Sequence, residues 1–131
     1  MPFTGFTSET GEFLWELAFH NEKPWFEAHK EQFLRAVKEP FDALAKETLA
    51  LMRQKPPDEP YCLHISRIYR DARRLFGRGP YKDHLWFTLW TGEDRHNSPV
   101  FWFELSPASF SYGVGFYTAT AEQMAALRRY I

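Results

Sequence analysis

A single cysteine, Cys62, stands in a chain of 131 residues. No intrachain disulfide can form, and a reducing compartment fits best. Long apolar runs are also missing, which excludes a membrane span, and the N-terminus has no apolar segment of the kind a secretory signal needs. These two absences predict a cytoplasmic protein. Net charge is low, −1 at pH 7, with a pI near 6.5, so bulk attraction to nucleic acid or anionic lipid is not expected. The chain has no repeat, no low-complexity tract, and no G-x-S-x-G, P-loop or dinucleotide fingerprint; Gly77-Arg78-Gly79 is too short for one. The five histidines (20, 29, 64, 84 and 96) are scattered without ligand-pair spacing, so neither a metal site nor a cofactor is expected.

What is present is unevenly placed. Residues 1–60 hold seven basic and eleven acidic groups, residues 61–90 six and two, and residues 91–131 three and four. The basic excess therefore sits in the middle, where Arg67 to His84 carries six of the sixteen Lys and Arg residues. Guanidinium groups held close repel unless something negative lies among them. Aromatic residues make up 18% of the chain, five of them Trp, which predicts a core of flat, rigid side chains.

Length predicts one domain over residues 1–131, with a helical half at 1–54, a linker at 55–60 and a strand-rich half at 61–131. Ser8 or Thr10 suits the cap of a first helix with Phe13, Leu14, Leu17 and Ala18 on one stripe. Asn21 is expected to end that helix in a left-handed or turn geometry. Pro24 opens a second helix that buries Trp25, Phe26, Phe33 and Val37, and Pro40 kinks or splits it. A further amphipathic segment runs through Phe41, Leu44, Leu51 and Met52 to about Gln54. From Tyr61 the apolar period becomes two, predicting strands at 62–65, 85–91, 100–105 and 110–117, the last with Phe110, Tyr112, Val114 and Phe116 on one face. Ser106 to Ser109 forms a hairpin, and Thr120 caps a final helix with Met124, Leu127 and Ile131 on one side. Short loops favour antiparallel pairing, so the expected fold is α+β, with N-terminal helices on a mainly antiparallel sheet of four or more strands and a C-terminal helix.

Three separated patterns carry a resemblance to a known family. The first is Asn21-Glu22-Lys23-Pro24-Trp25-Phe26-Glu27-Ala28-His29-Lys30, similar to N-x-x-x-W-F-x-x-x-K. The second is Arg67-Ile68-Tyr69-Arg70-Asp71-Ala72-Arg73 with Pro80-Tyr81-Lys82-Asp83-His84, similar to R-I-Y-R-D-T-R and P-Y-K-x-H. The third is Phe103-Glu104-Leu105-Ser106-Pro107 followed by Gly113 to Tyr117 and Leu127-Arg128. Together they resemble DUF2461, a family of bacterial and fungal proteins. The resemblance carries no activity with it. Between Arg73 and Pro80 the family reads F-S-K-D-K-T, whereas this chain has Arg74-Leu75-Phe76-Gly77-Arg78-Gly79, and by comparison with the family a shortened member is expected.

The residues themselves point to an anion. Arg67, Arg70, Arg73, Arg78 and Lys82 supply cationic donors for a phosphate or carboxylate, and Gly77 and Gly79 would let backbone N–H groups approach it. Tyr69 and Tyr81 would orient the ligand, Asp71 would order the guanidiniums, and Trp25 and Lys30 of the second helix would approach from the other side. His84 with Asp71 is the one acid–base pair read from the sequence; whether any reaction occurs is left open. Cys62 reads as a small buried hydrophobe, and His64 with Ser66 is too weak a signal for a Ser–His pair. Two rivals stand beside a small anionic ligand. One is an internal network in which Asp71, Glu22 and Glu27 neutralise the arginines. The other is nucleic acid tracked by the arginines with Tyr69, Tyr81 and Trp86, against which the pI and the acidic flanks weigh. No membrane partner is expected, and the oligomeric state is not read from the sequence.

Overall fold

Thr7 precedes the first helix, α1 (Ser8–Phe19), and its N–H donates to Thr10 Oγ1 at 3.2 Å. The cap is thus one residue earlier than Ser8, and Thr10 serves it from inside the first turn. The structure is a computed structural model, which describes residues 2–54, 60–116 and 118–131. The expected linker, apart from Pro60, and Tyr117 lie outside the described residues.

α1 buries Phe13, Leu14 and Leu17. It ends at His20 with φ −113°, and Asn21 is not left-handed, because Phe76 is the only described non-glycine residue with positive φ. Asn21 has another task, described below. α2 (Lys23–Ala28) has Pro24 in its first turn, where the missing N–H costs nothing. From α3 (Lys30–Phe33) the chain runs through a π-helical turn (Leu34–Lys38) into α4 (Glu39–Arg53) without a break. Pro40 therefore does not split the helix. It does remove the N–H that Ala36 O would accept four residues on, and Thr10 Oγ1 donates to that carbonyl instead, at 2.7 Å. The widened turn and this buried bond tie α1 to the long helix and absorb the proline.

The strands β1 (Tyr61–Ile65), β2 (Leu85–Thr91), β3 (Pro99–Leu105) and β4 (Phe110–Phe116) form one antiparallel sheet in chain order. Alternation divides them between two faces. On the near face Leu63 pairs with Leu89 and Ile65 with Phe87, and Phe87 pairs in turn with Phe103. These residues pack with Phe13, Phe26, Phe33, Val37, Phe41 and Ala45 of the helices in one core. Burying a side chain such as Phe41 contributes about 2–3 kcal/mol. The far face carries His64, Trp86, Thr88, Trp90, Trp102 and Glu104. The expected stripe on β4 exists, but Phe110, Tyr112 and Val114 are exposed, because the helices do not reach that edge.

Ser106 N–H donates to Ser109 O, closing the last hairpin. α5 (Ala121–Arg128) is capped by Thr120, whose Oγ1 accepts from Gln123 N while Gln123 Oε1 accepts from Thr120 N. α5 buries no residue, and Ile131 lies beyond it in solvent. The fold is α+β as the sequence predicts. No helix among the described residues is long and apolar enough to cross a membrane.

Candidate anion-binding site

Past Ile65 the β1–β2 ladder continues through a side chain. Ser66 N–H donates to Trp86 O at 2.8 Å, and Ser66 Oγ accepts from Trp86 N at 2.9 Å. The two strands of the Arg-rich segment then stay zipped. Tyr69 bridges Tyr81, Arg70 N–H donates to Pro80 O at 2.8 Å, and Lys82 N–H donates to Ile68 O at 2.7 Å. Only residues 71–79 loop out. Asp71 caps the 3-10 turn Ala72–Arg74, and Phe76 (φ 49°) with Gly77 (φ 81°) reverses the chain.

Asn21 fixes this segment against the helices. Its Oδ1 accepts from Tyr81 N at 2.8 Å, and its Nδ2 donates to Tyr81 O at 2.7 Å. Gly79 lies so close that a Cβ there would overlap the Asn21 side chain and carbonyl. The first family-like pattern thus begins with a residue that clamps the second. Tyr81 itself is buried and stacks on Phe26 at 4.2 Å between ring centres. It is a core residue, so it does not orient a ligand; burial, with Tyr69 and Glu27 nearby, pushes its hydroxyl pKa up.

The cations divide into two groups. Arg73 grips Asp71 with Nε at 3.1 Å and a terminal nitrogen at 2.9 Å, holding that carboxyl at about 2. Arg78 donates to the carbonyls of Leu75 and Arg74, locking the turn from outside. Arg70 Nε donates to Tyr81 O at 2.9 Å. Arg67 and Lys82, by contrast, make no ion pair with an acid among the described residues. Lys82 Nζ lies 5.9 Å from the centre of the Trp86 ring. Burial lowers its pKa, and the neighbouring charges of Arg67 and Arg70 lower it further.

These side chains meet at an open cavity of about 630 Å³, lined by His64, Ser66, Arg67, Tyr69, Arg70, Lys82 and Trp86 together with Asp71 to Arg73. His64 is half-buried there, and burial, then Arg95 and Lys82, depress its pKa. Its imidazole is therefore neutral near pH 7 and carries one donor and one acceptor.

Several residues picked from the sequence lie elsewhere. His84 bonds Asp83 at 3.0 Å rather than Asp71, and neither His84 nor Asp83 lines the cavity. Arg78, Gly77 and Gly79 also lie outside its wall. Trp25 stacks between His20 and His29, at 5.4 and 4.2 Å, and Lys30 is exposed on α3; the second helix meets the loop through Phe26 against Tyr69 and Tyr81, and neither Trp25 nor Lys30 lines the cavity. His64, Ser66 and Trp86 take the places in the wall. A signal for them existed: the alternation of β1 and β2 puts imidazole, hydroxyl and indole groups on the face opposite the aliphatic one. No group of three or more metal-ligating side chains occurs among the described residues.

The fold and the cavity describe a small α+β protein with a cation-rich loop beside the first two strands. The chain belongs to the family described as conserved hypothetical protein (DUF2461), whose profile matches residues 9–131. Comparison with curated proteins and with solved structures returns no match for this chain.

Proposed function

We propose that the protein binds a small anion, a phosphate or carboxylate, between Arg67, Arg70 and Lys82. The observation that carries this reading is the pair Arg67 and Lys82. Both face one cavity, they repel each other, and neither forms an ion pair with a described acid, the carboxylate of Asp71 in the same wall being held by Arg73. An internal network would have paired them as it pairs Arg73 with Asp71. Holding like charges together without a partner costs stability, and an anion with several oxygens relieves that cost through charge-assisted bonds. Neutral His64 adds a hydrogen bond to a protonated oxygen of the ligand, and Tyr69 contributes its exposed hydroxyl. The single thiol supports a cytoplasmic setting for this binding.

Isothermal calorimetry with inorganic phosphate, pyrophosphate and a dicarboxylate tests the reading. Binding by the wild type, weakened at least about tenfold in Arg67→Ala and Lys82→Ala but little changed in Arg78→Ala, is expected. No heat from any of the three anions, or equal affinity in the Arg67→Ala protein, sinks it. Saturation at a hundred times the dissociation constant should stabilise the fold by about 2.7 kcal/mol.

A further inference from the structure

We propose that the anion is the phosphate of a nucleotide-like ligand, whose flat ring lies on the far face of the sheet against Trp86 and Trp102. This rests on the anion site above and extends it. Trp86 is shared between the cationic cavity and a second one of about 480 Å³, lined by strand residues including Thr88, Trp102, Glu104 and Gly115. No described helix residue lines this second cavity. The two cavities therefore meet at one indole, with cations on one side and an aromatic surface on the other.

The composition of the aromatic half narrows the ligand. Trp102 lies over Gly113 of β4, where a Cβ would come within 3.0 Å of the indole Cζ2. Glycine there lets the indole rest on the strand, and Gly115, with nothing within 4 Å of its own Cβ position, leaves the neighbouring floor empty. Trp102 pairs with Thr88, two residues along β2 from Trp86, so the two backbone positions are offset by about 7 Å along the strand. A nucleoside monophosphate bridges that offset with its phosphate among the cations.

Two residues of this wall carry polar groups, Thr88 and Glu104. Thr88 Oγ1 is buried and has no hydrogen-bond partner among the described residues. Such an orphan is costly, and a ligand group that pairs with it relieves that cost. Glu104, opposite Trp86 in register, makes no ion pair with a described cation and accepts from an amino or ring N–H. A carboxylate at this end disfavours a second anion and favours a donor-bearing base. Base–indole stacking then adds affinity that the phosphate alone lacks.

Calorimetry with adenosine monophosphate, ribose 5-phosphate and inorganic phosphate separates this inference from the anion site. Adenosine monophosphate is expected to bind at least about tenfold more tightly than ribose 5-phosphate. Trp102→Ala should erase that advantage while leaving ribose 5-phosphate affinity unchanged, and Arg67→Ala should weaken both. Should Trp102→Ala fail to fold, the wild-type protein still decides: adenosine monophosphate must quench indole fluorescence and ribose 5-phosphate must not. Equal affinity for the two phosphates overturns the ring site and leaves the anion site standing. Failure of all three probes removes both. A single-stranded oligonucleotide binding far more tightly than the mononucleotide, with affinity falling steeply in salt, overturns the small ligand in favour of a nucleic-acid strand.

Discussion

The two faces of the sheet are built from alternate residues of the same strands, and they are finished differently. The near face meets α1 to α4 through Leu63, Phe87, Leu89 and Phe103, and the buried Thr10 hydroxyl beside this core is paired with Ala36 O. The far face exposes indoles, an imidazole and a carboxylate, and keeps two polar atoms, Thr88 Oγ1 and Trp90 Nε1, without partners among the described residues. Cations stand over two of its rings, Lys82 near Trp86 and Arg95 5.8 Å from Trp90. One face is optimised for cohesion. The other holds unsatisfied groups, which stability alone does not favour.

Substitutions on the two faces should separate most widely. Phe41→Ala, at a fully buried near-face contact, should cost about 3–5 kcal/mol in denaturant unfolding. Trp102→Ala, of a larger side chain on the far face, should cost only about 1 kcal/mol. Equal losses would mean that both faces are core.

The link between helices and loop comes next in size. Asn21→Ala leaves the N–H of buried Tyr81 unpaired and frees one of two donors to its carbonyl. A loss of about 2 kcal/mol is expected, together with faster hydrogen exchange at the Tyr81 amide. An unchanged exchange rate would show that the zipped strands hold the segment without the clamp.

Lys82 gives a test of sign. Its pKa is lowered, so the unfolded chain holds that proton more tightly than the fold does, and the fold carries a penalty at all pH below the lowered value. Lys82→Met should therefore raise the thermal midpoint of the ligand-free protein while weakening phosphate binding. A lowered midpoint with intact binding would make Lys82 a structural residue.

The smallest expected effect belongs to His64. With its pKa below the ordinary 6.5, the imidazole is neutral in both states above that pH and costs nothing. As pH falls below 6.5 the unfolded chain protonates first, so stability is lost until the folded-state pKa is passed. His64→Asn should flatten the stability profile between pH 7 and 5, as read by thermal melts. The same slope in both proteins would assign it to another group.

Much of the fold was legible because it follows from local chemistry. Period-two alternation marked β2 at its observed ends, and Thr120 announced α5 as its cap, to which the structure adds the reciprocal bond with Gln123. Of the two expectations for Pro40 the split fails, because the cost of a proline in a helix depends on what takes the orphaned carbonyl, and Thr10 comes from another helix. The left-handed geometry expected as one option for Asn21 fails too: its amide serves a backbone sixty residues away. The Arg-rich loop was visible as a concentration of charge, and Asp71 as an acid among its guanidiniums, but which arginine takes it was not. Arg73 and Asp71 neutralise each other two residues apart, and Asp83 takes His84 next door.

The sequence alone determined the family, the α+β order of elements and the segment where positive charge gathers, since these depend on residue type and near-neighbour spacing. The tertiary structure decided which cations are left without a counter-charge and which ring stands beside them. His64 on β1 and Lys82 at the foot of β2 lie eighteen residues apart in the chain, and only strand pairing sets them in one wall. Electrostatic interaction falls off with distance in space, whatever the separation along the chain.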